Sequence, residues 1–402
     1  MKADRSGGVE RQLRDAAPHA LFDVARALIG ERFDAVTVDL LMADYAMTRL
    51  QPVAKLPRTT TPLPLNSSAA GRAFGAQEPH IVAETGNRAP TVTVHLPVSV
   101  RGDRLGVLSV TLPGTEPAPT TVEALQEIAD ALAHEIMVAE RDTDLFLLAR
   151  RAERLTLAAE MQWQLLPGRS CSRTEYSIGA QLEPAYAIYG DNFDWSTSAD
   201  HLTLSANNGM GEGIEAALLT NLAVNALRNA RRAGLSLADQ ASLADQAVYG
   251  HYAGRQYLSM LLFRFHLPTG RAEVIDAGSP RVWRMRQGVV EPVELEAQLP
   301  LGMFEDTVYT PQHFQVEPGD RLLFVSDGVY DVPSPSGERY SERALIRAVR
   351  DTRLLPPSQV PRAVLEELVG HRGPGPSEDD AMVVCLDWHG RPDGSQQGTG
   401  QV

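Results

Sequence analysis

Residues 208–219 read Asn208-Gly209-Met210-Gly211-Glu212-Gly213-Ile214-Glu215-Ala216-Ala217-Leu218-Leu219, a glycine-rich turn that runs into an apolar stretch with helical spacing. Three further motifs place carboxylates beside strand-like segments: Gly190-Asp191-Asn192-Phe193-Asp194, Ser326-Asp327-Gly328 and Asp379-Asp380. An Asp beside a Gly is by itself an ordinary turn signal. The occurrence of all these motifs in one chain indicates a shared site lined by carboxylates.

The carboxylates of Asp191, Asp327 and Asp379 are the candidate catalytic groups and metal ligands. Each borders an apolar, strand-like segment, so a short loop can project its carboxylate into a common cleft. Mn²⁺ and Mg²⁺ are hard cations that prefer oxygen ligands. Two such ions, held about 3.5–4 Å apart, activate a shared water and neutralise a phosphoryl group. The three carboxylates fit the demands of metal-dependent hydrolysis of a phosphate ester by a metal-activated water.

In this order the motifs resemble the active site of metal-dependent protein phosphatase 2C-like proteins, in their bacterial sporulation stage II E branch. A supporting landmark is Gln162-Trp163-Gln164-Leu165-Leu166-Pro167, which resembles the segment ahead of the phosphatase domain in that branch. The resemblance implies one metal held by Asp327 and Asp379, and a second served by Asp191 and the Gly209 carbonyl. Asp194 and Asp380 would be outer-sphere partners, or only capping residues.

Asn208 departs from the family pattern, which has a metal-bridging Asp at this position. An amide keeps the shape and one carbonyl ligand but carries no charge. Holding two dications together then costs several kcal/mol more in a partly buried site. We therefore expect weak or single-metal binding and reduced turnover. A catalytically inactive pseudophosphatase, acting as a sensor or scaffold for a regulatory partner, is the alternative.

The chain has 402 residues, of which 43% are hydrophobic, and this is enough for two domains with separate cores. Its net charge of −14 argues against a duplex nucleic-acid partner, because phosphate contacts require clustered Lys and Arg. It has only two cysteines, and no apolar run approaches the length of a membrane span. These features predict a cytoplasmic protein without nucleic-acid or membrane partners.

The overall fold class predicted is α+β, with an αββα sandwich as the phosphatase domain. Two segments of the chain resemble a GAF sensory domain: Ser68-Ala69-Ala70-Gly71-Arg72-Ala73-Phe74 and Gly106-Val107-Leu108-Ser109-Val110. An unrelated small α/β domain is the alternative. The predicted order is a disordered N-terminus at 1–16, the GAF-like domain at 17–139, a signalling helix at 140–167, the phosphatase 2C-like domain at 168–388 and a disordered tail at 389–402.

The predicted helix at 140–167 ends at Pro167 and follows from the run 121–166, which contains no Gly or Pro and whose apolar residues recur at three- or four-residue steps. This pattern suits a parallel coiled-coil homodimer, or a helix that packs back on its own domain. The family resemblance implies a phosphorylated regulatory partner such as an anti-sigma factor antagonist, and a small-molecule ligand for the GAF-like domain. His80, His95 and His134 are the histidines that such a ligand would meet, although each is more commonly a structural or surface residue.

Overall fold

The computed structural model describes residues 3–53, 61–84, 89–184, 186, 190–373 and 379–391. The chain divides into two compact units, Met1–Arg154 and Leu155–Val402. No helix in the described ranges combines the length and the apolar character needed to cross a bilayer.

The first unit is an antiparallel sheet with helices on both faces. Its strands are β1 (Thr37–Ala43), β2 (Arg49–Pro52), β3 (Leu63–Pro64), β4 (His80–Glu84), β5 (Thr91–Val100) and β6 (Asp103–Pro113). Its helices are α1 (Ala3–Arg14), α2 (Leu21–Phe33), α3 (Ala69–Ala76), α4 (Pro119–Ala139) and α5 (Leu145–Ala149). The strand order is β3-β2-β1-β6-β5-β4.

Side chains alternate between the two faces along each strand of this sheet, and those on one face form the main core. Val92, Val94 and Leu96 of β5 are fully buried and belong to one cluster with Leu132 and Ile136 of α4. Side chains two residues apart lie on the same face of a strand, and side chains four apart lie on the same face of a helix. Each buried side chain of this kind contributes about 1.5–3 kcal/mol to folding. The helix α3 packs against the opposite face in a smaller cluster.

The segment predicted to be disordered, residues 1–16, instead contains the helix α1. Its Leu13 is 1% exposed and belongs to the main core, and Val9, one helical turn earlier, packs against the same cluster. Two apolar side chains four residues apart form a stripe that α2 and α4 cover. The polar composition of this segment hid that short stripe from sequence reasoning.

The predicted continuous helix at residues 140–167 does not form. α4 ends at Ala139, α5 is five residues long, and a non-helical stretch precedes the next helix. The backbone N–H of Leu145 donates to Thr143 Oγ1 at 3.3 Å, and such local bonds compete with helical ones. Phe146 is fully buried in the core of the first unit. This agrees with the packed-back alternative, and the homodimer stays a prediction without a continuous helix to support it.

The second unit contains two antiparallel sheets within the described residues. Its strands are β7 (Ser170–Ser172), β8 (Tyr176–Glu183), β9 (Asp191–Thr197), β10 (His201–Gly209), β11 (Leu258–His266), β12 (Arg271–Ala277), β13 (Arg281–Arg286), β14 (Val289–Pro292), β15 (Gln312–Gln315), β16 (Arg321–Val325) and β17 (Ala381–Trp388). Its helices are α6 (Leu157–Leu165), α7 (Gly213–Arg232), α8 (Leu237–Tyr252), α9 (Asp327–Tyr330), α10 (Ala344–Asp351) and α11 (Val360–Arg372). The strand orders are β15-β12-β11-β10-β9 and β14-β13-β16-β17-β8-β7.

The two sheets pack face to face and helices cover their outer surfaces. Phe263 meets Phe324 edge to face with ring centroids 5.1 Å apart, and Phe265 lies 5.9 Å from Trp388, so aromatic side chains join the layers. α7 and α8 share a core with β11 and β12, whereas α10 and α11 share one with β16 and β17. The predicted α+β class and the αββα sandwich are confirmed.

The segment after β17 is ordered where the structure describes it. The backbone N–H of His389 donates to Glu175 O at 2.8 Å, and the Arg391 guanidinium pairs with the Glu175 carboxylate at 3.0 Å. The rest of the predicted disordered tail, residues 392–402, lies outside the described residues.

His95 should make the stability of the first unit depend on pH. Its Nδ1 lies 2.8 Å from Ser109 Oγ, and burial together with the charge of His80 lowers the pKa of His95 to about 4. Between pH about 6.5 and about 4, the unfolded chain therefore binds a proton that the folded chain does not. Stability should fall by about 1.4 kcal/mol per pH unit as pH decreases through this window.

Hydrogen exchange of β5 and β6 in the full chain, with and without His95→Gln, measures this effect. The substitution should remove most of the loss of protection at acidic pH. His134→Gln, at an exposed position whose Nδ1 lies 2.9 Å from Asp130 O, is the matched control and should change nothing. An unaltered pH profile in His95→Gln would contradict the assignment.

Candidate metal centre

The predicted ligands meet where the ends of strands from both sheets of the second unit converge. Asp191 begins β9 and is the direct cross-strand partner of Asn208, near the end of β10. Asp327 begins α9, just after β16, and Asp379 lies two residues before β17, the neighbour of β16. The structure therefore brings together four residues that are separated by as many as 188 positions in the chain (379 − 191).

Asp380 connects the two sheets at this point. Its Oδ2 accepts hydrogen bonds from the backbone N–H groups of Gly190, at 2.9 Å, and Asp191, at 3.2 Å. The residue is only 2% exposed. A buried carboxylate that accepts two backbone N–H bonds fixes the position of those peptides. Asp380 thus positions Asp191 from the opposite sheet, and its signal in the sequence was only its place beside Asp379.

The Asn208 side chain is hydrogen-bonded to a candidate metal ligand. Its Nδ2 donates to Asp327 Oδ1 at 2.6 Å. An Asp at this position has no N–H to donate and would instead present an oxygen to Asp327. The amide therefore satisfies one carboxylate oxygen that a cation would otherwise bind. It also links the end of β10 to the start of α9 across the two sheets.

Asp191 lies in an unfavourable electrostatic environment. Its residue is 2% exposed, and burial, followed by the charge of Asp380, raises the pKa of its carboxyl well above the usual range. Asp327 and Asp379 raise the same pKa, and a hydrogen bond from Ser326 lowers it. Among the described residues, Asp191 Oδ2 is buried and has no hydrogen-bond partner. Within the described part of the chain, an ionised Asp191 therefore faces other carboxylates without a compensating positive charge.

Asp379 lies at the exposed edge of the cluster. Partial desolvation and the charges of Asp327 and Glu212 raise the pKa of its carboxyl, whereas the N–H of Asp380, which donates to Asp379 Oδ1 at 2.8 Å, lowers it. Glu212 belongs to the glycine-rich turn and was missed as a contributor to the site. This open edge is where solvent or a substrate would reach the carboxylates.

Glycines allow the backbones of this site to approach closely. A Cβ on Gly190 would overlap the carbonyl oxygen of Gly209, and a Cβ on Gly328 would overlap the carbonyl oxygen of Asp380. The Gly190 carbonyl in turn accepts from Gly209 N at 3.1 Å and Thr220 Oγ1 at 2.9 Å. The predicted ligand Gly209 therefore lies against Gly190, at the base of the cluster.

The donor set fits a hard divalent cation in its chemistry. Asp191, Asp327 and Asp379 supply only oxygens, their charges repel one another, and Asp191 Oδ2 is buried and unpaired within the described part of the chain. The geometry is less complete, since no group of three or more His, Cys, Asp or Glu in the described ranges is arranged to hold a metal ion. With Asn208 bonded to Asp327, the residues fit one cation better than a bridged pair.

Asp194 lies outside the cluster, although the sequence grouped it with Asp191. Its carboxylate pairs with Arg228 at 2.8 Å and with Arg231 at 3.1 Å, both on α7. Arg228 also donates to Leu165 O at 2.5 Å, so this carboxylate helps to hold α6 against α7. Asp194 is a structural residue because its charge is already compensated by two cations.

A chain of buried amides beneath the site was not visible in the sequence. Gln162 Oε1 accepts from Asn192 Nδ2 at 3.4 Å, and Asn192 Oδ1 accepts from Asn207 Nδ2 at 3.4 Å. Asn192 adjoins Asp191, and Asn207 adjoins Asn208. The chain links α6 to both strands that carry the site, and only the burial of all three amides reveals it.

Comparison with known proteins finds a family that part of this chain resembles. Residues 198–389 match the family described as stage II sporulation protein E. Asn208, Asp327 and Asp379 lie inside the matched range, and Asp191 precedes it. The resemblance to phosphatase 2C-like proteins of the sporulation stage II E branch is thereby confirmed for this part of the chain.

Individual relatives are distant. Phosphoserine phosphatase RsbU of Bacillus subtilis is 22% identical over 184 residues, which cover 46% of this chain and 55% of RsbU. Protein IcfG of Synechocystis sp. is 18% identical over 255 residues, which cover 56% of this chain and 40% of IcfG. The chain thus spans about half the length of the curated relatives it matches.

A solved structure of SpoIIE from Bacillus subtilis, its phosphatase 2C domain with a fragment of the regulatory domain, is 14% identical to this chain. The superposition covers 77% of this chain and 82% of that one, with a TM-score of 0.48.

Proposed function

We propose that the second unit is a metal-dependent phosphoserine and phosphothreonine protein phosphatase of the partner-switching type that regulates sigma factors. Its turnover is reduced because Asn208 replaces the bridging Asp. The observation that carries this proposal is the convergence of Asp191, Asp327 and Asp379 on one junction, with Asp191 Oδ2 buried and unpaired within the described residues. The family match over residues 198–389 and the similarity to RsbU support it.

The side chains of the site have two roles: some would bind a cation, and others position the cation-binding groups. Asp191, Asp327 and Asp379 would hold Mn²⁺ or Mg²⁺, which when bound supplies a Lewis acid that lowers the pKa of water and neutralises a phosphoryl group. Asp380 keeps Asp191 in place through two backbone N–H groups. Asn208 orients Asp327. The exposed edge at Asp379 admits the phosphoserine side chain.

The expected reduction follows from charge. Two unit charges about 4 Å apart interact by about 4 kcal/mol in the partly screened environment near a protein surface. An Asp at position 208 would bring such an attraction to each of two cations, and Asn208 brings none. A second cation would therefore bind weakly, and a phosphatase that works with one cation loses part of its transition-state stabilisation.

A second candidate is a pseudophosphatase, which binds a phosphorylated partner or acts as a sensor and scaffold without turnover. The bond from Asn208 Nδ2 to Asp327 Oδ1 favours it, because the carboxylate is satisfied without a cation. The same carboxylate cluster with a neutral amide in its centre would then be a structural remnant of the metal site.

The regulatory context of the proposal comes from the relatives. RsbU is named as a phosphoserine phosphatase, and the corresponding partner here would be a phosphorylated regulatory protein such as an anti-sigma factor antagonist. The first unit would be a GAF-like sensory domain that responds to a small molecule, and the protein would act in the cytoplasm, as a homodimer.

Phosphate release by the full chain tests the proposal. With Mn²⁺, a phosphoserine peptide and p-nitrophenyl phosphate should both be hydrolysed slowly, and EDTA should stop the reaction. Asp327→Asn should reduce the rate by about 100-fold, because it removes a ligand charge. Asp351→Asn, an exposed Asp at the end of α10, is the matched control and should retain the native rate. Phosphate release by the native chain that stays at the level of the protein-free blank, with or without Mn²⁺, would support the pseudophosphatase instead.

A further inference from the structure

A polar groove of about 500 Å³ lies at the end of the β10–β11–β12 sheet that is remote from the metal centre. His201, at the start of β10, lines it, and Asn208 is seven residues further along that strand, about 23 Å away. Phe263 and Phe265 of β11 contact the opposite sheet, so the alternating Arg264 and His266 project to the outer face. The groove and the carboxylate cluster are therefore on different faces and at opposite ends.

Cationic groups dominate the groove. Arg264 and Arg271 line it together with His201 and His266, and Glu273 is the only carboxylate in the lining. The chain as a whole has a net charge of −14, so this grouping is opposite in sign to the rest of the molecule. With neutral histidines the lining carries one net positive charge, and each protonated histidine adds one more.

The two arginines differ in the hydrogen bonds and ion pairs that they form. Arg264 donates from Nε and Nη2 to Glu273 Oε2, at 3.1 and 2.5 Å, which uses one edge of its guanidinium. Arg271 is exposed, forms no ion pair with a carboxylate of the described residues, and donates from Nη2 to His313 Nε2 at 3.1 Å. A guanidinium has five N–H donors in a fork that matches a tetrahedral oxyanion. Arg271 therefore has donors to offer a ligand.

The rim of the groove is held in place by hydrogen bonds among its own members. His266 Nδ1 lies 2.8 Å from Thr269 Oγ1, which leaves Nε2 as the ring nitrogen that can meet a ligand. Gln315 Nε2 donates to Thr269 O at 2.9 Å and braces the β11–β12 hairpin from the neighbouring strand β15. Ordering these side chains before binding reduces the entropy that a ligand must overcome.

From this arrangement we infer that the groove binds a phosphoryl-type oxyanion, either free inorganic phosphate or the phosphoryl group of a phosphorylated protein segment. Arg271 is the principal donor, and His201 and His266 complete the binding surface. The inference does not depend on catalysis at the carboxylate cluster, because the two places share no residue.

The paired histidines give the groove a spectroscopic signature. His201 and His266 are direct cross-strand partners with ring centroids 5.1 Å apart. Burial, followed by the charges of His266 and Arg264, lowers the pKa of His201, whereas Asp200 and Glu273 raise it. A bound dianion adds negative charge beside these rings, so the pKa of His201 should rise when phosphate binds.

Phosphate titration of the full chain in EDTA, at about pH 6.5, tests the inference because histidine is then partly protonated. Without a metal ion the carboxylate cluster repels phosphate, so the cluster does not contribute to the binding signal. Calorimetry and histidine NMR should show saturable binding and a rise in the pKa of His201. Arg271→Gln should weaken the affinity by about 10-fold, since it removes a charge-assisted donor pair. Arg232→Gln, an exposed arginine at the end of α7, is the matched control and should bind as the native chain does.

A phosphoserine peptide and serine peptide of the same sequence separate the two sources of the oxyanion. Tighter binding of the phosphoserine peptide than of inorganic phosphate identifies a protein ligand, and equal affinity identifies the free ion. Absence of saturable binding, or equal loss of affinity in Arg271→Gln and Arg232→Gln, would overturn the inference. Circular dichroism of both variants establishes that they fold.

Discussion

Replacing Asn208 with Asp is expected to raise Mn²⁺-dependent hydrolysis of p-nitrophenyl phosphate by about 10- to 100-fold. The substitution exchanges the amide that donates to Asp327 Oδ1 for a carboxylate that cannot. Without metal, the added charge repels Asp191 and Asp327, so the second unit should become less stable. With Mn²⁺, the same charge would attract the bound cation, and both metal affinity and turnover should increase.

Two measurements on the same protein separate these effects. Thermal unfolding with and without Mn²⁺ should show a larger metal-dependent stabilisation in Asn208→Asp than in the native chain, because ligands stabilise the state they bind. Initial rates of hydrolysis should rise in parallel. Asn225→Asp adds the same charge at an exposed position on α7 and is the matched control. Equal rates and equal metal-induced shifts in all three proteins would mean that position 208 does not control metal binding.

The second large effect is on folding, at Gly190. An alanine Cβ there would overlap the carbonyl of Gly209, which is itself fixed by pairing between β10 and β11. The backbone cannot move away freely, because Asp380 and Thr220 hold the Gly190 peptide from two sides. Gly190→Ala should therefore lower the free energy of unfolding of the second unit by about 3 kcal/mol, as overpacking of a close backbone contact does.

Urea unfolding followed by tryptophan fluorescence reports this change specifically, because Trp163, Trp195, Trp283 and Trp388 all lie in the second unit. The matched control is Gly250→Ala, in α8, where an added Cβ has no neighbouring atom within 4 Å. That change should raise stability by up to about 1 kcal/mol, since alanine is the better helix former. Similar stabilities for Gly190→Ala and the native chain would show that the strand ends can separate without cost.

Much of the second unit could be predicted from its residues. The carboxylate motifs beside apolar segments gave the right strand ends, and the structure brings Asp191, Asn208, Asp327 and Asp379 together as expected. Each of these motifs consists of consecutive residues, so it can be recognised from the sequence alone. The roles of these residues as metal ligands stay a prediction.

What the sequence concealed depends on long-range burial. The helix α1 rests on a two-residue apolar contact in a polar segment, and the break after α4 depends on where Phe146 is buried. The sequence places Asp194 beside Asp191, but its carboxylate pairs with Arg228 and Arg231, which lie on a helix more than thirty residues later. Neither spacing nor composition encodes these encounters.

The hydrogen bonds from Gly190 and Asp191 to Asp380 have a consequence for how this protein tolerates change. One sheet supplies the peptides and the other supplies the carboxylate, so neither layer contains a complete site. The two layers also meet through aromatic side chains such as Phe263 and Phe324, so we expect their packing to influence the spacing of the acidic groups. Substitutions of these core aromatic residues would therefore change the activity of the site without touching it, so variation in the core matters to the site as much as variation in its acidic residues.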